Sequence, residues 1–330
     1  MKKLSLLMVS LMVVISCSRP KEAVTVDLTN YAYEGALTGK PFEFDTVIGV
    51  AGHCAFIGDD LFMSLYSKEY TVAMLDKDLK TAGLGFHFGQ GPDEVLSSMG
   101  SFGRLLPAER IAVYDYNKNE IAVAKGKDFS EGYDKIKLPK VIGKLSPRKI
   151  LQLNDGRYVM SKSMNYGLAT NDGSDSIVDW PLGLSELDAE HPNVDLTMQA
   201  PHLLGYARGR GIVGEAYGHI PAVILYNEDG TVNTILKFGE IPDVSALQVF
   251  DKKVIRGISL SEKYVYVLLD DREDTEMSLA VVDYNGNGIA KLTIAGATAI
   301  AVNEDSKRLV TTHSGNDEMY VYDLSSVPGM

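Results

Sequence analysis

The sequence is poor in cysteine, in tryptophan and in long apolar runs, and each shortage excludes something. Two cysteines in 330 residues rule out a disulfide-stapled scaffold and leave the core to hold the chain together. The longest leading apolar run, Leu4 to Ile15, is 12 residues, whereas a membrane-crossing helix needs about 20. Positive charge is in deficit. Lys and Arg number 32 against 44 Asp and Glu, for a net charge of −12, which argues against a nucleic-acid-binding domain. No H-E-x-x-H, C-x-x-C or G-x-S-x-G pattern occurs, so the usual motifs of zinc proteases, dithiol redox proteins and α/β-hydrolases are missing. Beyond residue 44 no convincing helical periodicity is found. Disorder is excluded as well, because 45% of residues are hydrophobic and 23% charged.

What is present begins with an address. Lys2 and Lys3 precede the apolar run, which ends in Val14-Ile15-Ser16-Cys17. This is the shape of a secretory signal peptide. A small residue just before a cysteine also resembles the bacterial lipobox, in which cleavage leaves an acylated cysteine as the new N-terminus. The expected organisation is a signal peptide over 1–16, a lipidated Cys17 with a polar tether to residue 40, and one domain over 41–330. Each buried CH₂ adds about 0.8 kcal/mol of membrane affinity, so several acyl chains on one cysteine hold firmly. Processing removes Lys2 and Lys3 and makes the chain more acidic still, so lipid rather than charge must anchor it. The expected location is the bacterial cell envelope, on the outer membrane, facing the periplasm or the exterior.

The rest of the chain repeats. One short strand recurs after a polar turn: Leu61–Tyr66, Ile111–Tyr114, Tyr158–Met160, Ile212–Val213, Tyr264–Val267 and Leu309–Val310. Their spacing of roughly 44–54 residues matches propeller blades. A second strand usually follows and ends in Asp or Asn: Val72–Asp76, Tyr166–Asn171, Ala222–Asn227, Leu279–Asp283 and Met319–Asp323. In the second repeat Ile121–Ala124 fills the place without a closing Asp. Turns such as Asn171-Asp172-Gly173 and Asn285-Gly286 send the chain back into an outer strand, since Asn and Gly tolerate φ > 0. Six copies imply an all-β, six-bladed β-propeller, with residues 181–200 as an inserted loop rather than a degenerate seventh blade. The last copy has no outer strand of its own. The N-terminal segment, through Thr25–Leu28 or Phe42–Val47, is expected to complete it and close the ring.

At the exit of the first blade the chain reads Phe86-His87-Phe88-Gly89-Gln90-Gly91-Pro92-Asp93-Glu94-Val95. This resembles the fG-x-G-P-x-E signature of six-bladed propeller lipoproteins of Bacteroidetes, which are similar to TolB-like and NHL-type propellers. The resemblance covers the chain from about residue 40 and implies fold and location, not mechanism. Physically, Gly89 and Gly91 permit a tight turn, Pro92 stiffens it and Glu94 can accept backbone N–H bonds.

Blade geometry indicates where a site would be. Loops between blades, and loops between the second and third strands of each blade, share the face around the channel mouth. Inner strands begin at His53, Ser101, Arg148, His202, Arg256 and Thr298, while His219 and His313 fall in second-to-third loops of that face. The candidate ligand-binding residues are His53, Arg148, His202, His219, Arg256 and His313, a set suited to an anionic or carbohydrate-like ligand. No catalytic residue, metal site or cofactor is expected. The leading reading is a non-catalytic binding protein whose partner is an envelope protein or a carbohydrate-like ligand. The rival is a lactonase-like propeller hydrolase or lyase with a metal in the central funnel.

Three local motifs carry less than they promise. Gly209 to Gly214 matches G-x-G-x-x-G but sits between β-turns, where no dinucleotide site forms. Asp283 to Gly288 resembles half a calcium loop, yet its twelfth position is Ile294. Cys54 opens an apolar inner strand, the setting of a structural thiol. Trp180, before Pro181, is expected to anchor a long loop rather than stack on a sugar.

Overall fold

The computed structural model describes residues 23–45, 49–96, 102–105, 110–126, 129–145, 147, 149–162, 167–180, 202–241, 254–271, 276–313, 315 and 318–330, with the backbone alone at 102–105 and 202. The N-terminal stretch forms three short strands, β1 (Val24–Asp27), β2 (Tyr33–Ala36) and β3 (Lys40–Pro41). Blade one follows as β4 (Val50–Ile57), β5 (Asp60–Tyr66), β6 (Tyr70–Leu75) and β7 (Thr81–His87). Blade two is β8 (Phe102–Leu105), β9 (Arg110–Asp115), β10 (Glu120–Ala124) and β11 (Tyr133–Lys137). Blade three, after the helix α1 (Lys140–Leu145), is β12 (Ile150–Gln152), β13 (Tyr158–Ser161), β14 (Leu168–Asn171) and β15 (Val178–Asp179). Blade four is β16 (His202–Ala207), β17 (Ile212–Tyr217), β18 (Ala222–Asn227) and β19 (Val232–Lys237). Blade five is β20 (Ile255–Leu260), β21 (Tyr264–Leu269), β22 (Glu276–Asp283) and β23 (Gly288–Ala295). Blade six is β24 (Ala299–Asn303), β25 (Arg308–His313) and β26 (Glu318–Asp323), completed by β3.

Each blade is an antiparallel meander, and the six stack into a propeller. The reason lies in the side chains. In β9, Ile111 and Val113 pack against blade one with Phe62, Val72 and Phe86, while Ala112 and Tyr114 pack against blade three with Ile150 and Met160. Successive residues point to opposite faces, and both faces of a blade are covered. The strands therefore read as continuous apolar runs instead of alternating ones. Every junction between consecutive blades has such a cluster, including the one between blades six and one, where Ala299, Ala301 and Val310 meet Cys54, Met63 and Ala73. The ring is closed by packing as well as by strand pairing.

The N-terminal segment closes the last blade, through Lys40–Pro41 and the first residue of the Phe42–Val47 alternative rather than through Thr25–Leu28. Lys40 and Pro41 pair antiparallel with Val321 and Tyr320, and Phe42 N–H donates to the Met319 carbonyl at 2.9 Å. Thr25–Leu28 instead lies on blade four, where β1 runs parallel to β19 from Val24↔Thr234 to Asp27↔Lys237. Residues 33–36, read from the sequence as tether, add β2 in parallel to β23 of blade five. The N-terminal segment is thus a belt over the rims of blades four, five and six before it enters blade one. The sequence hides it because rim strands bury few side chains; in β1 only Val26 is even half-buried.

The helix α1 is a second departure from the expected absence of helix. Pro139 precedes it and accepts from Ile142 N–H at 3.0 Å, Ile142 is fully buried between blades two and three, and Pro147 blocks its continuation. Trp180 is buried and packs against Tyr226 at 5.4 Å between ring centroids, so it anchors blade three to blade four. Residues 181–200 lie outside the described residues.

Candidate functional site

The inner strands of the blades enclose a central cavity of about 360 Å³, within the range of small-ligand pockets. Its walls come from β4, β12, β16, β20 and β24. These strands run in the same direction, so the residues at their starts gather at one end and those at their finishes at the other.

The starting end is cationic. His53, Lys149 and Arg256 line it from blades one, three and five. Two of them are placed by irregular pairing. In β4 the pairs Ala51↔Leu65 and Cys54↔Met63 leave Gly52 and His53 opposite Ser64 alone. In β20 the pairs Ile255↔Leu269 and Gly257↔Leu268 leave Arg256 without an opposite residue. An extra residue of this kind bends the strand and re-aims its side chain. The bulge at His53 is held by Ser64, whose hydroxyl accepts from His53 N–H at 2.8 Å and donates to the His53 carbonyl at 3.4 Å. Gly52 makes room for this latch, since a Cβ there would stand 2.6 Å from Ser64 Oγ and 3.1 Å from Tyr66 Cε2. Blade three repeats the device one residue before β12. Ser161 accepts from Lys149 N–H at 3.1 Å and donates to its carbonyl at 3.5 Å. His53 and Lys149 therefore hold equivalent positions in their blades.

The electrostatics follow from that crowding. The charge of Lys149, and then burial, depress the His53 imidazole to about 3, so it is neutral near pH 7. Burial lowers Lys149 itself to about 8, and no carboxylate among the described residues offsets it. Arg256 is held by Asp270, with Nε at 3.0 Å and Nη2 at 2.5 Å from the same oxygen, Oδ2. Cys54, next to His53, is raised to about 12 by burial, which keeps it an inert thiol as expected. The exposed ring of Tyr66 borders Gly52, the residue before His53.

The far end is built differently. There Arg208 lies over the Tyr206 ring at 5.1 Å, donates to the Gln152 carbonyl at 3.0 Å and bonds Asn154. Glu262 accepts from Gly209 N–H at 2.9 Å, and Arg210 stacks on Tyr284 at 4.4 Å. Apart from the Arg208–Tyr206 stack, which lies within blade four, these contacts cross from one blade to the next. The hairpins of this end are tied to one another, a structural role that leaves their polar groups engaged.

The site residues read from the sequence divide accordingly. His53 and Arg256 do meet in the cavity. Arg148 and Cys17 lie outside the described residues; among those described, blade three brings Lys149 to the cavity wall. His202 opens β16 opposite Tyr217, and its side chain is not described. His219 is buried within blade four, and His313 accepts from Gly315 N–H at 3.1 Å; neither lines the cavity. Lys149 could have been found from sequence only by aligning Ser161 with Ser64 as latches.

The remaining motifs are structural. Glu94 accepts from Gly91 N–H at 2.6 Å, and Lys118 of blade two donates to the carbonyls of Gly89, Gly91 and Glu94 at 3.2, 2.9 and 2.5 Å. The G-x-G-P-x-E segment is thus a clasp between blades one and two. Asp283 spends its oxygens on Asn285 and Asn287 within its own hairpin. Gly209 to Gly214 forms the hairpin between the antiparallel β16 and β17 and the start of β17. Among the described residues no three His, Cys, Asp or Glu side chains converge as a metal site requires.

No protein-family model matches this chain, and no curated protein matches it. Solved structures do. An exported protein of Bacteroides fragilis shares 11% identity at a TM-score of 0.59, over 91% of this chain and 99% of that one. A member of the DUF4221 family from Bacteroides vulgatus shares 9% identity at 0.54, over 87% and 96%. The calcium-binding protein regucalcin of Agrobacterium tumefaciens shares 10% at 0.53, over 88% and 95%. At such identities the likeness is one of fold, and these neighbours agree with the six-bladed propeller.

Proposed function

We propose that this chain is a lipid-anchored protein of the bacterial envelope whose propeller binds a ligand at its channel mouth, without covalent chemistry. The reading rests on one observation above the rest: strand irregularities and serine latches bring His53, Lys149 and Arg256, far apart in sequence, into one cavity. Bulges that re-aim polar side chains into a cavity disrupt strand pairing, and a ligand gives them a purpose. The exposed Tyr66 ring, beside Gly52 and the His53 bulge, offers a face on which a sugar ring can stack, which favours a carbohydrate-like ligand. Cys17, as the lipidated residue, would hold the propeller at the membrane.

Two experiments test this reading. Labelled palmitate should enter the full chain expressed in a bacterium and be lost in Cys17→Ser. Calorimetry against a glycan panel should give a ligand whose affinity falls in Arg256→Ala and Tyr66→Ala. Binding unaffected by either substitution would place the site elsewhere. The same titration with divalent ions tests the metal-dependent hydrolase or lyase reading.

A further inference from the structure

We infer that the starting end of the channel is an oxyanion site, which takes a carboxylate, phosphate or sulfate group of its ligand between Lys149, Arg256 and His53. The inference deepens the channel-mouth reading by naming the chemistry recognised there.

Placement is the first support. Blades one, three and five are roughly 120° apart in a ring of six, so their side chains approach the axis from three directions. Such an arrangement lets the oxygens of one anionic group be met from more than one side. Charge is the second. The chain as a whole is acidic, with a net charge of −12, yet the only acidic residue among the described cavity walls is Glu262, at the far end and engaged by Gly209 N–H. Asp270 meets Arg256 through one oxygen and spans two of its five donors. The ammonium of Lys149 has no acid partner among the described residues and is held where burial disfavours its charge. A half-buried cation at a cavity wall gains most from an anion that enters beside it.

Chemistry is the third support. The neutral His53 ring has one N–H to donate and one nitrogen that accepts. It adds a donor without adding a second full charge beside Lys149. Behind the three residues the channel wall includes apolar side chains such as Leu151, Ile258 and Ile300, which offer no competing partner to the anionic group. The serine latches fix the backbone at both His53 and Lys149, so the donors are aimed before the ligand arrives.

The test uses the full mature chain in detergent at pH 7. Tricarballylate, inorganic phosphate and sulfate are titrated by calorimetry and thermal shift against sodium chloride at matched ionic strength. At least one oxyanion should bind and raise the melting temperature beyond the chloride control. Lys149→Met should weaken that binding about tenfold or more, Lys149→Arg should restore part of it, and Lys263→Met on the far face should leave it unchanged. The inference is overturned if no oxyanion exceeds chloride, or if Lys149→Met, shown to be folded, binds as the parent does. A neutral glycan that binds equally well to the parent and to Lys149→Met would also sink it, while leaving the channel-mouth reading intact. Oxyanion binding lost in Lys149→Met with no glycan bound would support the inference and remove the carbohydrate instead.

Discussion

Replacing Lys149 by methionine should make the protein more stable, and the gain should depend on pH in a defined way. The folded protein holds this amine at about 8, against an ordinary value of 10.5, because burial disfavours its charge. Each pKa unit is worth about 1.4 kcal/mol, so the shift bounds the cost of keeping the amine protonated in the folded state at about 3 kcal/mol, and the solvent that reaches this half-buried side chain reduces it. The sign follows from proton counting. Between pH 8 and 10.5 the unfolded chain keeps the proton and the folded chain has released it, so stability rises with pH through that window. Below pH 8 both states are protonated and the full cost is present. Methionine has a stem of similar length and keeps the apolar contacts of the lysine chain. At pH 7 the variant should therefore gain up to about 3 kcal/mol, or roughly 6 °C in melting temperature for a chain of this size. Urea unfolding at pH 7, 8, 9 and 10 measures both quantities. The parent should gain stability across this range and converge on the variant, whose own profile lacks this rise. A variant no more stable than the parent at pH 7, or one that keeps the same alkaline rise, would refute the placement of Lys149 as a half-buried cation without an acid partner.

Three further outcomes follow from the same geometry. His53 is held near 3 in the fold and titrates near 6.5 when unfolded, so the parent should lose stability as pH falls from 6.5 towards 3. His53→Asn should flatten that loss in acid denaturation, and by less in a Lys149→Met background, because the lysine's charge is the largest cause of the shift. Gly288→Ala should lift the belt from blade five, since its Cβ would stand 2.3 Å from the Asn30 carbonyl oxygen. The expected cost is about 1–3 kcal/mol, with faster proteolysis of residues 24–36. Lys118→Met should leave the carbonyls of Gly89, Gly91 and Glu94 without their shared donor and lower stability by about 1–3 kcal/mol in urea, with ligand binding at the channel unchanged.

The blades were legible because each strand declares itself locally. Leu61–Tyr66 and Val72–Asp76 are apolar on both faces, and the turns between strands use Asp, Asn and Gly for their own hydrogen bonds, as at Asp283. The belt was not legible. Val24–Asp27 and Tyr33–Ala36 bury too little to leave a period-two pattern, and their parallel pairing has no hairpin turn to announce it. The site was half legible. Knowing where inner strands begin was enough to choose His53 and Arg256. It did not single out Lys149, whose place at the cavity wall is marked only by the Ser161 latch, a hydroxyl that meets it across the blade.

Composition and local spacing, then, decided the class, the number of blades and the strands within them, since turn chemistry and apolar runs act over a few residues. The tertiary structure alone decided which outer strand completes blade six, where the belt lies, and that His53, Lys149 and Arg256 share a cavity. Those contacts join residues scores of positions apart, and their geometry depends on ring closure, on two bulges and on two serine hydroxyls that no linear pattern encodes.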